Sequence, residues 1–371
     1  MQRRKMIWSL IGAGAIVAAA VAVFFILETQ REEPIKIGAI ISLTGPAGHL
    51  VDVRDGMQLA VDEVNTWGGV NGRKIELIVE DSKSSKEEGE KAFERIEARD
   101  HPLLYVAVTS SGSMAAAPLA EKNEVVLVGL VTTTPELTKQ KEWVFKYYYG
   151  TKDEVRPILN ILKHLRVKKL GILYQDDAYG TPVSDLLGKK SEKSGIAVVA
   201  EPFAVKNPDL QPKISKLKDT DAIYVVGFVK NEAKAIRLLR KEKYPGFILG
   251  AAGVTNLMGK MPEVDGVYVA SPLIYNPDFV FAREVRDKYE IRYGRPFTHQ
   301  AANGYDFVKL VAALLEEREV SRESIREVLE GGFIHPGIFG ELDIKPGNHE
   351  IDFPLHPARI EKGKIKFLNL Y

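Results

Sequence analysis

The strongest constraint on the fold is a regular alternation of two patterns between residues 35 and 273. Short apolar runs rich in β-branched residues, typical of strands covered on both faces, are separated by longer amphipathic segments of helical period. Strands that alternate with helices at this spacing form βαβ units with parallel pairing. The sequence therefore predicts an α/β fold with parallel sheets and helices on both faces. The second half of the pattern loosely repeats the first, which predicts two similar lobes.

The predicted elements follow this alternation. The strands are residues 35–41, 74–80, 103–108, 125–131, 169–174, 196–205, 222–228, 247–251 and 266–273. The helices between them are residues 56–67, 86–99, 114–121, 154–165, 179–194, 210–217 and 231–243. The aromatic stretch 143–149 is predicted to be extended and to pack in the core and between the lobes. The last part of the chain is predicted to form helices 279–293, 300–318 and 321–330, followed by strands 340–344 and 358–368.

The N-terminus differs from the rest of the chain. Residues 1–5 include three basic residues, and residues 6–27 carry no charge. A helix of that length at about 1.5 Å per residue spans roughly 33 Å, which is enough to cross a bilayer. We expect residues 1–5 to be a cytoplasmic end, 6–27 a transmembrane anchor or a signal peptide cleaved near the alanines at 18–22, and 28–34 a linker. In both cases the folded part lies outside the cytoplasm, anchored to the cell membrane or secreted.

Composition excludes several classes of protein. Lys plus Arg number 51 and Asp plus Glu 50, so the chain has no electrostatic footprint for nucleic acid. Cysteine is absent, which excludes disulfides, thiolate nucleophiles and thiolate metal sites. No G-x-S-x-G motif or phosphate-binding loop occurs, and a polar surface loop explains His349, Asp352 and His356 better than a metal site does. The sequence predicts a protein that is not an enzyme and has no cofactor or metal.

Candidate binding residues lie where predicted strands end, because ligands of open parallel sheets bind beyond the carboxyl ends of the strands. In residues 103–121, LLYVAVTSSGSMAAAPLAE, a turn of small hydroxyl residues separates a strand from a helix. Its N–H groups, its hydroxyls and the helix dipole suit a carboxylate, although the alternative is that Ser111 or Ser113 simply caps the helix. Other strand ends carry hydroxyls at 132–134 and aromatic rings at Tyr179 and Phe228. A crevice between two such lobes suits a small polar molecule.

Five stretches carry a resemblance to a known family. They are PIKIGAIISLTGPAG, GMQLAVDEVNTWGGVNGRKIELIVEDS, TTTPELT, ILYQDDAYG and ANGYDFVKL. Together they resemble the type I solute-binding proteins, the leucine/isoleucine/valine-binding group that delivers ligands to ABC importers. The resemblance runs from about residue 35 to the C-terminus. It implies two Rossmann-like lobes that are joined by a three-segment hinge and close on a ligand, with residues 35–149 plus 276–333 in the first lobe and 150–275 plus 334–371 in the second.

The resemblance also implies roles for individual residues. Ser110 and Thr133 match the residues that hold a ligand carboxylate, and Ser111 is the next hydroxyl of the same turn. The backbone carbonyl of Val131 matches an acceptor for a ligand ammonium group. On the second lobe, the implied ligand-facing aromatics are Tyr179 and Phe228.

One position departs from the family pattern. Amino-acid binders of this group place an acidic residue in the loop after the strand at 247–250, where it pairs with the ligand ammonium, whereas this chain has Ala252. Losing a charge-assisted hydrogen bond weakens binding by roughly ten- to a hundred-fold. Either Asp81, Asp176 or Asp177 substitutes for the missing acid, or the ligand is a carboxylate or amide without a free amine.

The resemblance implies a receptor that captures an amino-acid-like or carboxylate ligand by hinge closure and presents it to an ABC permease. The alternative is a ligand-sensing ectodomain that signals to a membrane partner. Only residues 1–5 would lie in the cytoplasm, too few for a signalling output segment, so the sequence favours transport.

Overall fold

The computed structural model describes residues 33–275 and 280–370, and the proposed membrane segment 6–27 lies outside these residues. Within the described ranges, no helix combines the length and apolar character needed to cross a membrane. The strands, in chain order, are β1 (Ile35–Ile41), β2 (Ile75–Asp81), β3 (Leu104–Val108), β4 (Val126–Leu130), β5 (Val144–Tyr147), β6 (Lys169–Gln175), β7 (Ala197–Phe203), β8 (Ala222–Val226), β9 (Phe247–Gly250), β10 (Tyr268–Ser271), β11 (Phe333–Gly337), β12 (Gly340–Ile344), β13 (Glu350–Ile351), β14 (His356–Glu361) and β15 (Lys364–Phe367).

The α-helices lie between these strands as the alternation predicts. In chain order they are α1 (Val51–Thr66), α2 (Lys86–Asp100), α3 (Ser110–Lys122), α4 (Thr151–His164), α5 (Gly180–Lys193), α6 (Gln211–Leu217), α7 (Val229–Lys241), α8 (Val280–Tyr293), α9 (His299–Leu315) and α10 (Arg322–Gly331). Short 3₁₀ helices occur as well, of which Gly48–Leu50 and Ala252–Leu257 reach the region between the lobes.

Two sheets define two lobes. The first sheet has the strand order β13-β5-β4-β3-β1-β2, and all of its strands are parallel. The second has the order β15-β14-β10-β9-β8-β6-β7, with β14 and β15 antiparallel to their neighbours. The predicted α/β class with parallel-rich sheets is therefore confirmed.

Strand β1 illustrates why these runs are so apolar. Ile37 and Ile41 pack in the cluster that includes α1 and α9, whereas Ile40 faces the opposite cluster, which includes α2 and α3. A strand that is covered on both faces is a nearly continuous hydrophobic run, and Lys36 is the one charged residue of β1. Helices α1 and α9 approach each other closely at Gly56, where a Cβ would lie 1.9 Å from the Ala301 carbonyl oxygen. This close contact fixes the N-terminus of α9 beside the space between the lobes.

The predicted lobe boundary at residue 334 is wrong. Strand β13 pairs with β5 in the first sheet, and the β11–β12 hairpin is tied to α9, where Asp306 accepts a hydrogen bond from the Ile338 N–H at 2.9 Å. Residues 334–351 therefore belong with the first lobe. The chain crosses back only between β13 and β14, where Asp352 forms an ion pair of 2.8 Å with the buried Lys146 of β5. A two-residue strand has too short a pattern to be found by periodicity.

Two other local predictions need correction. The expected turn at 109–113 is already helical, since α3 begins at Ser110 and Thr109 caps it by accepting a 3.0 Å hydrogen bond from the Gly112 N–H. The single strand predicted at 358–368 is the hairpin β14–β15, which turns at Lys362 and Gly363, both with positive φ. Positive φ suits the tight turn of a two-residue hairpin.

Candidate functional site

A small crevice lies between the two lobes, at the ends of their parallel strands. The lobes also contact each other directly beside it, where Asn256 donates a 2.9 Å hydrogen bond to Gln300. The lining residues from the first lobe are His49, Leu50, Thr109, Ser110, Val131, Thr133, Tyr148, Tyr149, His299 and Gln300. Those from the second lobe are Tyr179, Gly227, Phe228, Val229 and Gly253.

The first-lobe wall offers hydroxyl groups at the start of a helix. Ser110 is the first residue of α3, and its Oγ accepts a 3.2 Å hydrogen bond from the Thr133 N–H, so its own hydrogen remains available to a ligand. The Thr133 Oγ1 atom is buried and has no hydrogen-bond partner among the described residues. Buried polar atoms normally have partners. This pair of hydroxyls, together with the helix N-terminus, can accommodate a carboxylate.

Two residues of this wall have unusual backbone geometry. Thr109 has φ of 79° and Val131 has φ of 50°, and they are the two β-branched residues with positive φ among the described non-glycine residues. Such residues rarely adopt this conformation, which persists only where surrounding contacts hold it. For Val131 one such contact is a 3.2 Å hydrogen bond from its N–H to Asn303 of α9. Both residues line the crevice, so the contacts that hold their backbone also fix the shape of this wall.

No lysine or arginine lines the crevice among the described residues, and its two histidines are neutral. Burial lowers the pKa of His49 to about 4, and nearby Lys230 contributes in the same direction. Burial also lowers the pKa of His299 to about 3, with a smaller contribution from His49. A ligand anion would therefore be held by hydroxyl and N–H groups rather than by a cationic side chain.

Aromatic rings cover the rest of the crevice. Tyr148 and Tyr149 lie with ring centroids 4.0 Å apart, and both are buried, as expected for residues 143–149. Phe228 lies opposite, with its ring centroid 6.4 Å from that of His49. Tyr179 completes this side, and its hydroxyl donates a 3.1 Å hydrogen bond to Glu154. Rings of this kind provide apolar cover for a small ligand.

The structure does not bring every predicted site residue to this crevice. Ser110, Val131, Thr133, Tyr179 and Phe228 line it. A sixth, Ser111, points into an adjoining chamber that is also lined by Ser42, Ser82 and Asp177. The seventh, Ala252, is completely buried, and its neighbour Gly253 reaches the crevice instead.

The three aspartates proposed as substitutes for an acid at Ala252 are engaged elsewhere. Asp81 accepts hydrogen bonds from the Leu43 and Lys83 N–H groups. Asp177 caps α5 through the N–H groups of Tyr179 and Gly180. Asp176 accepts a hydrogen bond from the Thr181 hydroxyl. These contacts fix loops and a helix end, so none of the three lies at the crevice beside Ser110.

Two acidic residues that the sequence did not single out lie behind the second-lobe wall. Glu154 of α4 and Glu232 of α7 are both fully buried. Burial raises the pKa of Glu154 to about 7, against the opposing effect of hydrogen bonds from Tyr224 and Tyr179. Burial, with repulsion from Glu154, raises the pKa of Glu232 well above its usual value. Strongly perturbed carboxyl groups cluster at functional sites, which makes these two residues candidates for a role in binding.

Their positions in the helices contain a signal that could have revealed them. Glu154 shares a helical stripe with Ile158 and Ile161, and Glu232 shares one with Ile236 and Leu239. A residue at spacing i, i+4, i+7 from buried apolar residues faces the same core. A glutamate on such a stripe is costly to bury and therefore merits attention.

Comparisons with known proteins agree with this architecture. The family model described as periplasmic binding protein matches residues 34–364. The Leu/Ile/Val-binding protein BraC3 of Rhizobium johnstonii is 27% identical over 228 residues, which cover 60% of this chain and 62% of that protein. The leucine-, isoleucine-, valine-, threonine- and alanine-binding protein of Pseudomonas aeruginosa is 24% identical over 64% of this chain and 66% of its own length. The match thus spans less than two thirds of each of these relatives.

Solved structures share the fold across almost the whole described chain. A solute-binding protein of an ABC transporter from Rhodopseudomonas palustris, in complex with 3,4-dihydroxybenzoic acid, has a TM-score of 0.83 at 20% identity and covers 91% of this chain and 96% of its own. LivJ of Streptococcus pneumoniae, in complex with isoleucine, has a TM-score of 0.79 at 24% identity, with 90% and 98% covered. These relatives are described as binding proteins rather than enzymes, and the family implies an extracytoplasmic location. The chain belongs to the periplasmic binding protein family, and the curated relatives that it resembles include Leu/Ile/Val-binding proteins.

Proposed function

We propose that this protein is an extracytoplasmic receptor that captures a small carboxylate-bearing solute between its lobes and delivers it to an ABC importer. The ligand is an amino acid or a related small acid, and the protein performs no chemistry on it. Residues 6–27 would tether the receptor to the membrane unless they are cleaved. Ligand binding would favour the closed form through contacts that both lobes make only when closed.

The observation that carries this proposal is the hydroxyl pair of Ser110 and Thr133. Both residues lie in a crevice that rings cover from the other lobe, and the Thr133 Oγ1 atom is buried without a partner among the described residues. A ligand carboxylate would supply that missing partner. Two of the matching structures are described as parts of ABC transporters, which favours transport over the sensing alternative.

A ligand screen with a matched pair of serine variants tests the proposal. The purified full-length protein is screened by thermal shift against amino acids, amides and small organic acids. A ligand at about 100 times its Kd should stabilise the fold by roughly 2.7 kcal/mol. Ser110→Ala should weaken binding of that ligand by about ten- to a hundred-fold, because it removes a hydrogen bond to a charged group.

Ser111→Ala is the control. Ser111 is the adjacent residue of the same helix but lines the adjoining chamber, so its loss should leave the Kd within about two-fold. Equal effects of the two substitutions would contradict the proposed carboxylate site. A screen in which no small acid or amino acid binds would contradict the proposed function.

A further inference from the structure

We propose that Glu154 and Glu232 together supply the negative charge that an amine-bearing ligand requires, in place of the acid missing at Ala252. This inference rests on the proposed function and narrows it, since it assigns the ligand to the amino acids rather than to acids without an amine. The recognising charge comes from two helices behind the loop instead of from the loop itself.

Glu232 lies directly beneath the loop that lacks an acid. Its Oε1 atom accepts a 3.2 Å hydrogen bond from the Ala251 N–H, which holds the carboxyl group under the start of the 3₁₀ helix Ala252–Leu257. Its Oε2 atom is buried and has no hydrogen-bond partner among the described residues. A Cβ at Gly253 would lie 2.9 Å from that oxygen, and Gly253 lines the crevice. Glu232 does not itself line the crevice, but the absence of a side chain at Gly253 leaves its carboxyl group close behind this part of the wall.

Glu154 approaches the crevice from behind Tyr179. Its Oε1 atom accepts hydrogen bonds from the hydroxyls of Tyr179 at 3.1 Å and of Tyr224 at 2.9 Å. Its Oε2 atom accepts no hydrogen bond of normal geometry, although the Ala252 N–H lies near enough to stabilise the charged form. Tyr179 lines the crevice, so one ring separates Glu154 from the ligand. Both glutamates thus keep one unsatisfied oxygen beside the same wall.

The charge of the pair suits a single ammonium group. The pKa of each glutamate is raised by burial, and that of Glu232 also by the neighbouring Glu154. Two interacting carboxyl groups lose their protons in separate steps. Loss of the first leaves one negative charge on the pair, which is buried and has no cationic partner among the residues that line the crevice. Buried charges are normally paired, and an ammonium group would complete such a pair.

An acid without an amine fits this environment less well. Its carboxylate could bind to Ser110 and Thr133, but the remainder of the molecule would leave the two glutamate oxygens without partners. A site built for polar contacts rejects most strongly a ligand that leaves one of its buried charged groups unpaired. The tyrosines that face Glu154, including Tyr149, stay neutral because burial raises their pKa, so they cannot replace the missing cation.

The test compares amino acids with the matching 2-oxo acids, in which a carbonyl replaces the amine. The pairs are L-alanine and pyruvate, L-leucine and 4-methyl-2-oxopentanoate, and L-phenylalanine and phenylpyruvate. Calorimetric titration of the full-length protein should give at least one amino acid that binds about a hundred-fold more tightly than its 2-oxo acid. Glu232→Gln should weaken binding of that amino acid by about ten- to a hundred-fold and leave binding of the oxo acid unchanged or improved.

Three further variants show whether the preference for the amine depends specifically on the two buried glutamates. Glu154→Gln should reduce the preference for the amine in the same direction, which keeps the test valid if Glu232→Gln fails to fold. Glu263→Gln changes an exposed glutamate of the same lobe and should alter neither affinity. Ser110→Ala should weaken both members of a pair equally, since both carry the carboxylate.

The outcomes separate the inference from the proposed function. Equal binding of an amino acid and its oxo acid, or an amine preference that survives both glutamine substitutions, overturns the inference while the receptor function stands. If none of the three pairs binds and no other small acid or amino acid binds either, the receptor function fails and the inference fails with it.

Discussion

The two walls of the crevice differ in where their polar and ionisable groups lie. The first-lobe wall is polar but uncharged, with the hydroxyls of Ser110 and Thr133 and the neutral rings of His49 and His299. The second-lobe wall presents rings and a glycine, and its charge lies behind them on Glu154 and Glu232. Without a ligand, burial lowers the pKa of the histidines and raises the pKa of the glutamates, so it favours the neutral form of each. The two walls should therefore lose stability at opposite ends of the pH range.

The largest expected effect is a loss of folding stability in acid, caused by the two histidines of the first-lobe wall. A histidine whose pKa is lowered on folding stabilises the protein above its unfolded pKa, and this contribution is lost as the pH falls through the folded value. The pKa falls from 6.5 to about 4 for His49 and to about 3 for His299. At 1.36 kcal/mol per pKa unit, the two histidines together should cost on the order of 6 kcal/mol by pH 4.

Urea denaturation at pH 8 and pH 4 measures this loss. The double variant His49→Gln/His299→Gln should lose far less stability between the two pH values than the wild-type protein. His101→Gln, which changes an exposed histidine, should behave like the wild type. A double variant as acid-sensitive as the wild type would show that protonation of these two rings does not cause the loss of stability in acid. The contrast between the two walls would then fail for the first lobe.

The second expected effect is a loss of folding stability as the pH rises, caused by Glu154 behind the second-lobe wall. The pKa of Glu154 is raised from 4.5 to about 7, so folding retains a proton that the unfolded chain releases. The contribution to stability is complete below about pH 4.5 and is lost as the pH rises through about 7, with a total of about 3 kcal/mol. Between pH 5 and 8.5, Glu154→Gln should lose about 2 to 3 kcal/mol less stability than the wild type, and the loss that remains in the variant comes from Glu232, whose pKa is also raised.

Denaturation of the wild type and the variant at pH 5, 7 and 8.5 provides the measurement. Glutamine can still accept the hydrogen bonds from Tyr179 and Tyr224, so the packing is preserved. Glu263→Gln serves again as the exposed control from the same lobe. A parallel decline of wild type and Glu154→Gln between pH 5 and pH 7 would contradict a raised pKa of the Glu154 carboxyl group.

The sequence predicted the first wall far better than the second. Ser110 and Thr133 follow strands whose every residue is buried, so a periodic pattern locates their ends to within a residue or two. Glu154 and Glu232 lie inside amphipathic helices, where a glutamate usually faces solvent. The stripe that they share with apolar residues indicates that they face a core, but their place behind the crevice depends on how α4 and α7 pack against the second sheet. The tertiary contact overrides the local preference at these two positions.

The same distinction explains the other differences between expectation and structure. The alternation of strands and helices depends on local period and was predicted almost completely. The two-residue strand Glu350–Ile351 is too short to have a period, and it forms because the first sheet offers β5 as an edge. Val131 and Ser110, which lie at predicted strand ends, both line the crevice, whereas His49 and His299 were missed because their segments lie far from any predicted strand end.

The smallest expected effect concerns Gly253, the residue of the second-lobe wall that lies against Glu232. Gly253 does not have positive φ, so alanine fits the backbone there, but the new Cβ would lie 2.9 Å from Glu232 Oε2 and 3.2 Å from Val229. The methyl group should cover the carboxyl group and weaken amino-acid binding by about ten-fold, the effect of one impaired charge-assisted hydrogen bond. Gly188→Ala in α5 is the control, because its Cβ would lie 3.8 Å from Val198, an ordinary contact. The Kd of the amino acid is measured by calorimetry for both variants. An unchanged Kd in Gly253→Ala would mean that the ligand does not contact Glu232 past this residue. The two buried glutamates would then have a structural role only.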